Sequence, residues 1–156
     1  MAITVSILVI VITALFLGYD IKLTGEIPRS LSKIVLDIPY KAMWTFYMWL
    51  CALLMGIALA FVLPEQYTLM NFGMVACLIL CGGFPLIIEE AEKFHTIMGI
   101  VGGIFSQICV AVINPWLLLF WILYGLLCLW KKSSAVLWSE IVCFLSTCLC
   151  VILESI

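Results

Sequence analysis

The sequence predicts an all-α fold, a polytopic transmembrane bundle of about six helices in which residues 1–156 form a single domain. The chain is 67% hydrophobic and only 10% charged, so it lacks the polar surface that a soluble domain of this size presents to water. Its mean hydropathy is +1.33. Because a transmembrane helix needs about 20 apolar residues, this length allows roughly six spans and leaves almost nothing for a soluble domain.

The first span covers residues 3–18, which are apolar from end to end. No basic segment precedes it and no small-x-small cleavage site follows it, so we expect a retained span and not a signal peptide. The only long polar stretch comes next, at residues 20–41, and it contains one glycine and two prolines as helix breakers. Within it, residues 30–38 carry apolar side chains at helical intervals, which predicts a short interfacial helix in this first cytoplasmic loop.

Five further spans follow, separated by short polar turns. We place them at residues 42–63, 69–88, 94–113, 117–130 and 135–156. The second span opens with four aromatic residues, which are typical of the membrane interface. Gly82, Gly83 and Pro85 near the end of the third predict a kinked or unwound last turn. The fifth has only 14 residues, so it must thin the bilayer locally or extend into the turns beside it.

The basic residues predict the topology. If the N-terminus lies outside, the loops at 20–41, 89–93 and 131–134 face the cytoplasm and contain all seven basic residues, as the positive-inside rule requires: Lys22, Arg29, Lys33, Lys41, Lys93, Lys131 and Lys132. A chain of five spans, with the fourth and fifth fused, would place Lys131 and Lys132 on the opposite side. We therefore expect six spans with both termini outside.

Polar side chains inside a membrane are costly, so they are candidate functional residues. Glu140 lies about two turns into the sixth span, and His95, the only histidine, begins the fourth. Both lie at a similar depth on the predicted cytoplasmic side, so they can meet in the folded bundle. They would then form the polar centre of a pocket that opens to the cytoplasmic leaflet, with further candidate ligand-binding residues at its mouth: Ser30, Ser32, Tyr40, Glu89 and Glu90.

Several functions fit this pattern. The first is a non-enzymatic protein that binds a lipid headgroup or a small polar ligand, with membrane lipids as its partners and assembly into a homo-oligomer left open. The second is a membrane lipid hydrolase with Ser30 or Ser32 as nucleophile, His95 as base and Glu140 as the carboxylate. The third is an oligomeric pore or transporter, which would need a polar stripe along a whole helix. In a purely structural alternative, His95 and Glu140 form one buried hydrogen bond that fixes two helices together.

Other patterns are explained by packing. Gly99 and Gly103 have the small-xxx-small spacing of closely packed helices, and Ser106 and Gln107 continue into the core of the same span, within reach of a neighbouring helix. Glu89 and Glu90 also suit the positive end of a helix dipole. The eight cysteines fall in apolar segments, where cysteine acts as a small hydrophobe. Metal-ligand spacing, a glycine-rich phosphate loop and a basic surface are missing from the sequence, so no metal, cofactor or nucleic-acid partner is expected.

Short motifs punctuate the chain: Ile27-Pro28-Arg29-Ser30-Leu31-Ser32, Gly82-Gly83-Phe84-Pro85, His95 with the small residues after it, Ser106-Gln107, Asn114-Pro115-Trp116 and Trp138-Ser139-Glu140-Ile141. Together they resemble small uncharacterised six-span membrane proteins of bacteria and phages. More distantly, the glycine-proline ending of the third span and the histidine that opens the fourth are similar to the Frag/DRAM/Sfk-type family. The resemblance implies a six-helix bundle in a bacterial inner (plasma) membrane and draws attention to Ser30, Ser32, His95 and Glu140. It implies no activity.

Overall fold

The computed structural model describes residues 1–31, 34–37, 41–87, 92–130 and 135–156, and the regular structure of these residues is entirely helical. The helices are α1 (Ala2–Thr24), the one-turn α2 (Ile34–Asp37), α3 (Lys41–Ala60), α4 (Thr68–Ile87), α5 (Glu92–Ile113), α6 (Leu119–Trp130) and α7 (Ala135–Glu154). Two 3₁₀ turns, Glu65–Tyr67 and Pro115–Leu118, precede α4 and α6. The predicted all-α bundle is confirmed for these residues.

Five helices, α1, α3, α4, α5 and α7, are long and apolar enough to cross a membrane. Each has at least 20 residues, which is about 30 Å of helix and equals the thickness of a hydrocarbon core. α6 is apolar but has only 12 residues, about 18 Å, so it is shorter than that core. The shortness of this helix agrees with the length predicted for the fifth span.

α1 extends beyond the predicted first span, residues 3–18, because Gly25 ends the helix. Gly25 has a positive φ of 75°, a backbone conformation that glycine adopts without strain. Its N–H donates to the carbonyl of Ile21 at 2.8 Å and satisfies one of the free carbonyls at the helix end. Asp20 therefore lies inside a helix and not in a polar loop, and its side chain is 0% exposed.

The five long helices pack around a common core. α4 packs against α3 and α5, α1 packs against α3 and α7, and α7 also packs against α5. Large buried side chains fill the centre of this arrangement, among them Trp44, Leu59, Met74 and Leu137. α6 packs chiefly against α7 and the 3₁₀ turn before it. The main bundle is therefore complete without α6.

α3 and α4 approach each other closely. Three side chains donate across their interface to backbone carbonyls: Thr45 Oγ1 to Gly82 (2.7 Å), Trp49 Nε1 to Ile79 (2.9 Å) and Asn71 Nδ2 to Gly56 (2.8 Å). Glycine permits this approach, because a Cβ on Gly56 would overlap Val75 and one on Gly82 would lie 2.9 Å from Met48 Cβ. Such side-chain bonds are typical of helix pairs in apolar surroundings.

Part of the polar stretch between α1 and α3 folds against the bundle. Leu31, Ile34 and Val35 are buried members of the main core. They are spaced at helical intervals, so they share one face of the chain and pack together. The predicted helix over residues 30–38 is thus reduced, among the described residues, to the single turn of α2, whose apolar side lies in the core.

Replacing Gly56 by alanine should destabilise the fold. The added methyl group overlaps Val75, and overpacking of this kind costs about 1–3 kcal/mol. Gly18→Ala on α1 is the matched control, because nothing lies within 4 Å of a Cβ added there. Thermal unfolding of both purified variants in detergent should give a lower midpoint for Gly56→Ala alone, and equal midpoints would contradict the close approach of α3 and α4.

Candidate functional site

Glu140 joins the first loop to the beginning of α7. The N–H of Leu31 donates to Glu140 Oε2 at 2.6 Å, and the N–H of Leu137 donates to the carbonyl of Arg29 at 3.2 Å. Leu137 lies in the first turn of α7, where backbone N–H groups have no acceptor within the helix. The two bonds run in opposite directions between the same segments, and together they hold residues 29–31 against α7.

The loop is also bound to α3 through Leu31. Trp44 Nε1 donates to the carbonyl of Leu31 at 3.2 Å, and both residues are buried. The Trp44 indole packs against the imidazole of His95, with ring centroids 5.3 Å apart and planes tilted by 52°. One loop residue therefore connects Glu140 on α7 with Trp44 on α3 and, through that ring, with His95 on α5.

His95 binds a carbonyl that a proline leaves available. In a regular α-helix the carbonyl of Cys81 would accept from the N–H of residue 85, but residue 85 is proline and has none. His95 Nδ1 lies 2.9 Å from this carbonyl oxygen and 3.4 Å from Cys81 Sγ. Because a carbonyl oxygen only accepts, Nδ1 carries the hydrogen, and Nε2 of the neutral ring is then an acceptor.

The helix around Pro85 bears on one sequence prediction. The Gly82-Gly83-Phe84-Pro85 run predicts a last turn that is kinked or unwound; α4 is helical through Ile87, so this turn is not unwound, and the kink stays a prediction. A proline near a helix end removes a single N–H donor without ending the helix. Here the proline leaves the carbonyl of Cys81 available to accept the hydrogen bond from His95 Nδ1.

His95 and Glu140 both line one cavity of about 930 Å³. α5 and α7 supply most of its walls, and α3 and α4 contribute Met48, Met55, Leu78 and Cys81. Leu31 of the first loop, Leu118 of the second 3₁₀ turn and Trp121 of α6 complete the lining. The polar side chains that line it are His95, Thr96, Ser106, Gln107, Trp121, Ser139 and Glu140. The remaining lining is mostly apolar, and the volume lies within the roughly 300–1,000 Å³ typical of ligand sites.

The polar lining groups lie at two levels. His95 and Thr96, near the beginning of α5, share the first level with Ser139 and Glu140, near the beginning of α7. Gln107 lies 12 residues after His95 on α5, about 18 Å further along the helix. Between these levels α5 presents glycine and isoleucine to the cavity. The cavity thus has one polar end at the beginning of α5 and α7, an apolar middle, a second polar level at Gln107 and further apolar lining beyond it from Ala111 and Leu118.

The side-chain amide of Gln107 uses its full hydrogen-bonding capacity. Oε1 accepts from Trp121 Nε1 at 2.8 Å and from Ser146 Oγ at 3.1 Å. Nε2 donates to Ser106 Oγ at 3.2 Å and to the carbonyl of Cys143 at 3.4 Å. Since an indole only donates, these contacts fix the orientation of the amide. The predicted bond from Gln107 to a neighbouring helix is confirmed, and the residue connects α5 with α6 and α7.

The glycines of α5 pack differently from the prediction. A Cβ on Gly102 would lie 3.2 Å from Leu78, which makes Gly102 the point of close approach to α4. A Cβ on Gly99 or Gly103 would lie 3.6 Å from a cysteine sulfur, an ordinary contact, and both residues line the cavity. Gly99 and Gly103 therefore form part of the cavity wall, and Gly102 supplies the tight packing against α4.

The predicted site residues divide into two groups. His95 and Glu140 line the cavity, whereas Ser30 is buried beside Leu31 and is not among the described residues that line it. Ser32, Tyr40, Glu89 and Glu90 lie outside the described residues. The described bonds of His95 and Glu140 go to the backbone of Cys81 and Leu31, so each residue also has a role in holding the bundle together.

Sequence reasoning missed two contributors to this end of the bundle. The backbone carbonyl of Cys81 could be found from the sequence as a free acceptor. A proline four residues after any helical residue leaves that residue's carbonyl without its usual donor. The helical position of Asp20 had only an ambiguous signal, since both Gly18 and Gly25 are able to end a helix in a left-handed conformation and the structure uses Gly25. Both signals concern the backbone and not a motif.

The fold and the cavity define a class of molecule, a helical bundle with five helices long enough to span a membrane and an apolar cavity with a polar end. No family model, curated protein or solved structure matches this chain.

Removing the carboxylate of Glu140 should release the first loop. Glu140→Ala takes away the charged acceptor of the Leu31 N–H, a bond that contributes about 1.5–3 kcal/mol, so the loop should open roughly ten- to a hundredfold more often. The rate of tryptic cleavage after Arg29, identified by mass spectrometry, measures this opening. Glu140→Gln keeps one acceptor oxygen, so its cleavage rate should lie between those of Glu140→Ala and the unaltered protein.

The control is Glu154→Ala, because Glu154 is exposed and accepts from Asn114 near the opposite end of α7. Its cleavage rate after Arg29 should equal that of the unaltered protein. If Glu140→Ala were cleaved no faster than Glu154→Ala, the bond between Glu140 and the loop would not hold in solution.

Gln107→Leu should lower the stability of the bundle. The change removes four hydrogen bonds and keeps most of the volume. Three of the four join α5 to α6 or α7. Each such bond between helices in apolar surroundings contributes about 0.6 kcal/mol on average, so the total loss is roughly 1–3 kcal/mol. Unfolding in a titration with denaturing detergent measures it, with Asn114→Ala as a control at an exposed bond. If the unfolding midpoint of Gln107→Leu were no lower than that of Asn114→Ala, the four hydrogen bonds of Gln107 would not stabilise the bundle.

Proposed function

We propose that this chain is a multi-pass integral membrane protein, without enzymatic activity, that binds an amphipathic small molecule of lipid type in the cavity between α5 and α7. The observation that carries this proposal is the polarity of the cavity, whose mostly apolar walls have one polar end, formed by His95, Thr96, Ser139 and Glu140, and a second polar level at Gln107, where the amide is already hydrogen-bonded within the protein. An amphipathic molecule has the same division into an apolar body and a polar group.

The polar end offers complementary chemistry for a headgroup. Glu140 contributes a carboxyl group that accepts from the N–H of Leu31, and His95 contributes an imidazole whose Nδ1 donates to the carbonyl of Cys81. The hydroxyls of Thr96 and Ser139 lie on the same wall. Few, well-placed polar groups in an otherwise apolar pocket are the usual arrangement for binding and orienting a small molecule.

The same proposal includes the orientation in the membrane. The basic residues favour a topology with both termini outside, in a bacterial inner (plasma) membrane, and α6 as the short fifth of six crossings. The polar end of the cavity then lies at the cytoplasmic leaflet, since His95 lies two residues after Lys93 at the beginning of α5, and Glu140 lies eight residues after Lys132 near the beginning of α7. A lipid of that leaflet would present its headgroup at the right depth.

The contacts of the cavity serines support binding over hydrolysis. Ser106 Oγ donates to the carbonyl of Gly103 at 2.8 Å, and Ser139 Oγ donates to that of Val136 at 2.7 Å. Each hydroxyl hydrogen is thus directed to its own helix, whereas a nucleophilic serine donates to its general base. Ser30, the nucleophile predicted for a hydrolase, is not part of the described cavity wall.

Filling the cavity should displace its ligand. Gly99→Leu places a side chain inside, because the Cβ itself fits at 3.6 Å from Cys81 Sγ. Mass spectrometry of molecules extracted from protein purified in mild detergent should find an amphiphile enriched over the bulk membrane lipid, and several-fold less of it on the variant. Gly125→Leu on α6 is the control, since nothing lies within 4 Å of its Cβ and it does not line the cavity.

The absence of any enriched amphiphile on the unaltered protein would overturn the proposal. Equal amounts on Gly99→Leu and the unaltered protein would also contradict it, because the molecule would then be bound elsewhere. Thermal unfolding of both glycine variants, measured in parallel, shows whether a lost ligand reflects a filled cavity or a lost fold.

A further inference from the structure

We infer that the molecule bound in the cavity has a headgroup that donates hydrogen bonds and carries no negative charge, such as a hydroxyl or an amine. This inference rests on the proposed function, and it adds the chemical class of the headgroup. Three observations support it: the charge of the described cavity wall, the hydrogen bonds already formed at its polar end, and the direction of the two helices that begin there.

The described wall of the cavity contains one carboxyl group and no lysine or arginine. Glu140 is the only acidic residue among the described residues that line it. The basic side chains that the structure describes are exposed and do not line the cavity: Lys22, Arg29, Lys41 and Lys93. A second negative charge beside Glu140 would therefore be repelled, and this repulsion is stronger where apolar surroundings lower the effective dielectric constant.

Donors at the polar end are already bonded within the protein. Ser139 Oγ donates to a carbonyl of its own helix at 2.7 Å, and His95 Nδ1 donates to the carbonyl of Cys81 at 2.9 Å. Leu31 also lines the cavity, and its N–H donates to Glu140 Oε2 at 2.6 Å. A carboxylate or phosphate placed here would leave its water shell without gaining these donors in exchange.

The same bonds present oxygen acceptors at this end. A hydroxyl oxygen has two lone pairs, and the bond that Ser139 donates to its own helix uses neither of them. A carboxylate accepts at about four positions, of which the bond from Leu31 takes one. A headgroup with O–H or N–H groups can therefore be bound here without breaking a described bond of the protein.

The direction of α5 and α7 explains why an acidic residue suits this end. Both helices begin here, and the beginning of a helix carries partial positive charge that stabilises an anion. The side chain of a helical residue leans toward the beginning of its helix, so the carboxyl group of Glu140 lies on that side of its own backbone. The chain thus supplies the anion itself, and a headgroup anion would compete with it for the same field.

Probes with one saturated chain of the same length test the headgroup: dodecylamine, monododecanoylglycerol and dodecanoic acid. Pairs of probes compete for the detergent-solubilised protein at mildly alkaline pH, where the acid is ionised and the amine protonated, and native mass spectrometry gives their relative affinities. The amine and the glycerol ester should each bind about tenfold more tightly than the acid, because the acid alone adds a like charge beside Glu140. An acid that binds as tightly as the other two would overturn the inference.

Val136→Lys should reverse the preference. Val136 lines the cavity at the beginning of α7 and is 58% exposed, so a lysine fits there with its charged end toward water. The affinity for dodecanoic acid should rise roughly tenfold and that for dodecylamine should fall.

The matched control is Trp138→Lys. It introduces the same charge on the same helix, at an exposed position that does not line the cavity, and it should keep the original order of the probes. Loss of the fold cannot produce tighter binding of the acid. If Val136→Lys kept the original order as well, the headgroup would not lie at this end of the cavity.

Glu140→Gln removes the charge and keeps the shape of the side chain. The ratio of amine affinity to acid affinity should fall about tenfold. Because both probes are measured on one variant, a loosened loop or a weaker fold affects both and cancels in the ratio. Glu154→Gln is the control, since Glu154 is exposed near the opposite end of α7, and it should keep the ratio. An unchanged ratio in Glu140→Gln would contradict the inference.

The outcomes separate this inference from the function on which it rests. If the three probes bind equally, or if the acid binds most tightly, the headgroup assignment is wrong and binding of an amphiphile still holds. If the unaltered protein binds none of the probes and carries no enriched amphiphile from the membrane, both fail.

Discussion

Leu31 joins three parts of the molecule through its backbone alone. Its N–H is bound by the carboxylate of Glu140 on α7, and its carbonyl accepts from the indole of Trp44 on α3. Backbone groups buried in an apolar bundle must find partners within the protein, because apolar side chains supply none. The hydrogen bonds that satisfy the N–H and the carbonyl of Leu31 therefore also hold the loop at the end of the bundle. The part of the cavity wall that Leu31 forms depends on the same bonds.

The long helices could be predicted from sequence because their length follows from composition. Apolar runs near 20 residues with polar turns between them admit few other arrangements, and α3, α4, α5 and α7 lie within a few residues of their predicted spans. The exceptions have local causes. α1 continues past Asp20 to Gly25, where the helix ends. Among the described residues of the stretch after it, one turn of helix is buried because Leu31, Ile34 and Val35 pack into the core.

The candidate site could be predicted only in part. The similar depth of His95 and Glu140 along their spans predicts that they can meet, and both residues line one cavity. Their bonding partners, the carbonyl of Cys81 and the N–H of Leu31, are backbone groups that every residue possesses, so no side-chain pattern identifies them. Gly99, Gly102 and Gly103 also share one helix within two turns, and which of them meets a neighbour depends on the rotation of α5 in the bundle.

Pro85 determines where a proton resides on a different helix. An amide N–H at that position would compete for the carbonyl of Cys81, and the imidazole of His95 would lose the acceptor that favours hydrogen on Nδ1. The tautomer of the only histidine in the chain is thus encoded in α4, ten positions earlier in the sequence. A substitution at position 85 alone would therefore allow the hydrogen to move from Nδ1 to Nε2 and turn Nε2 from an acceptor into a donor, without altering a single residue of the cavity wall.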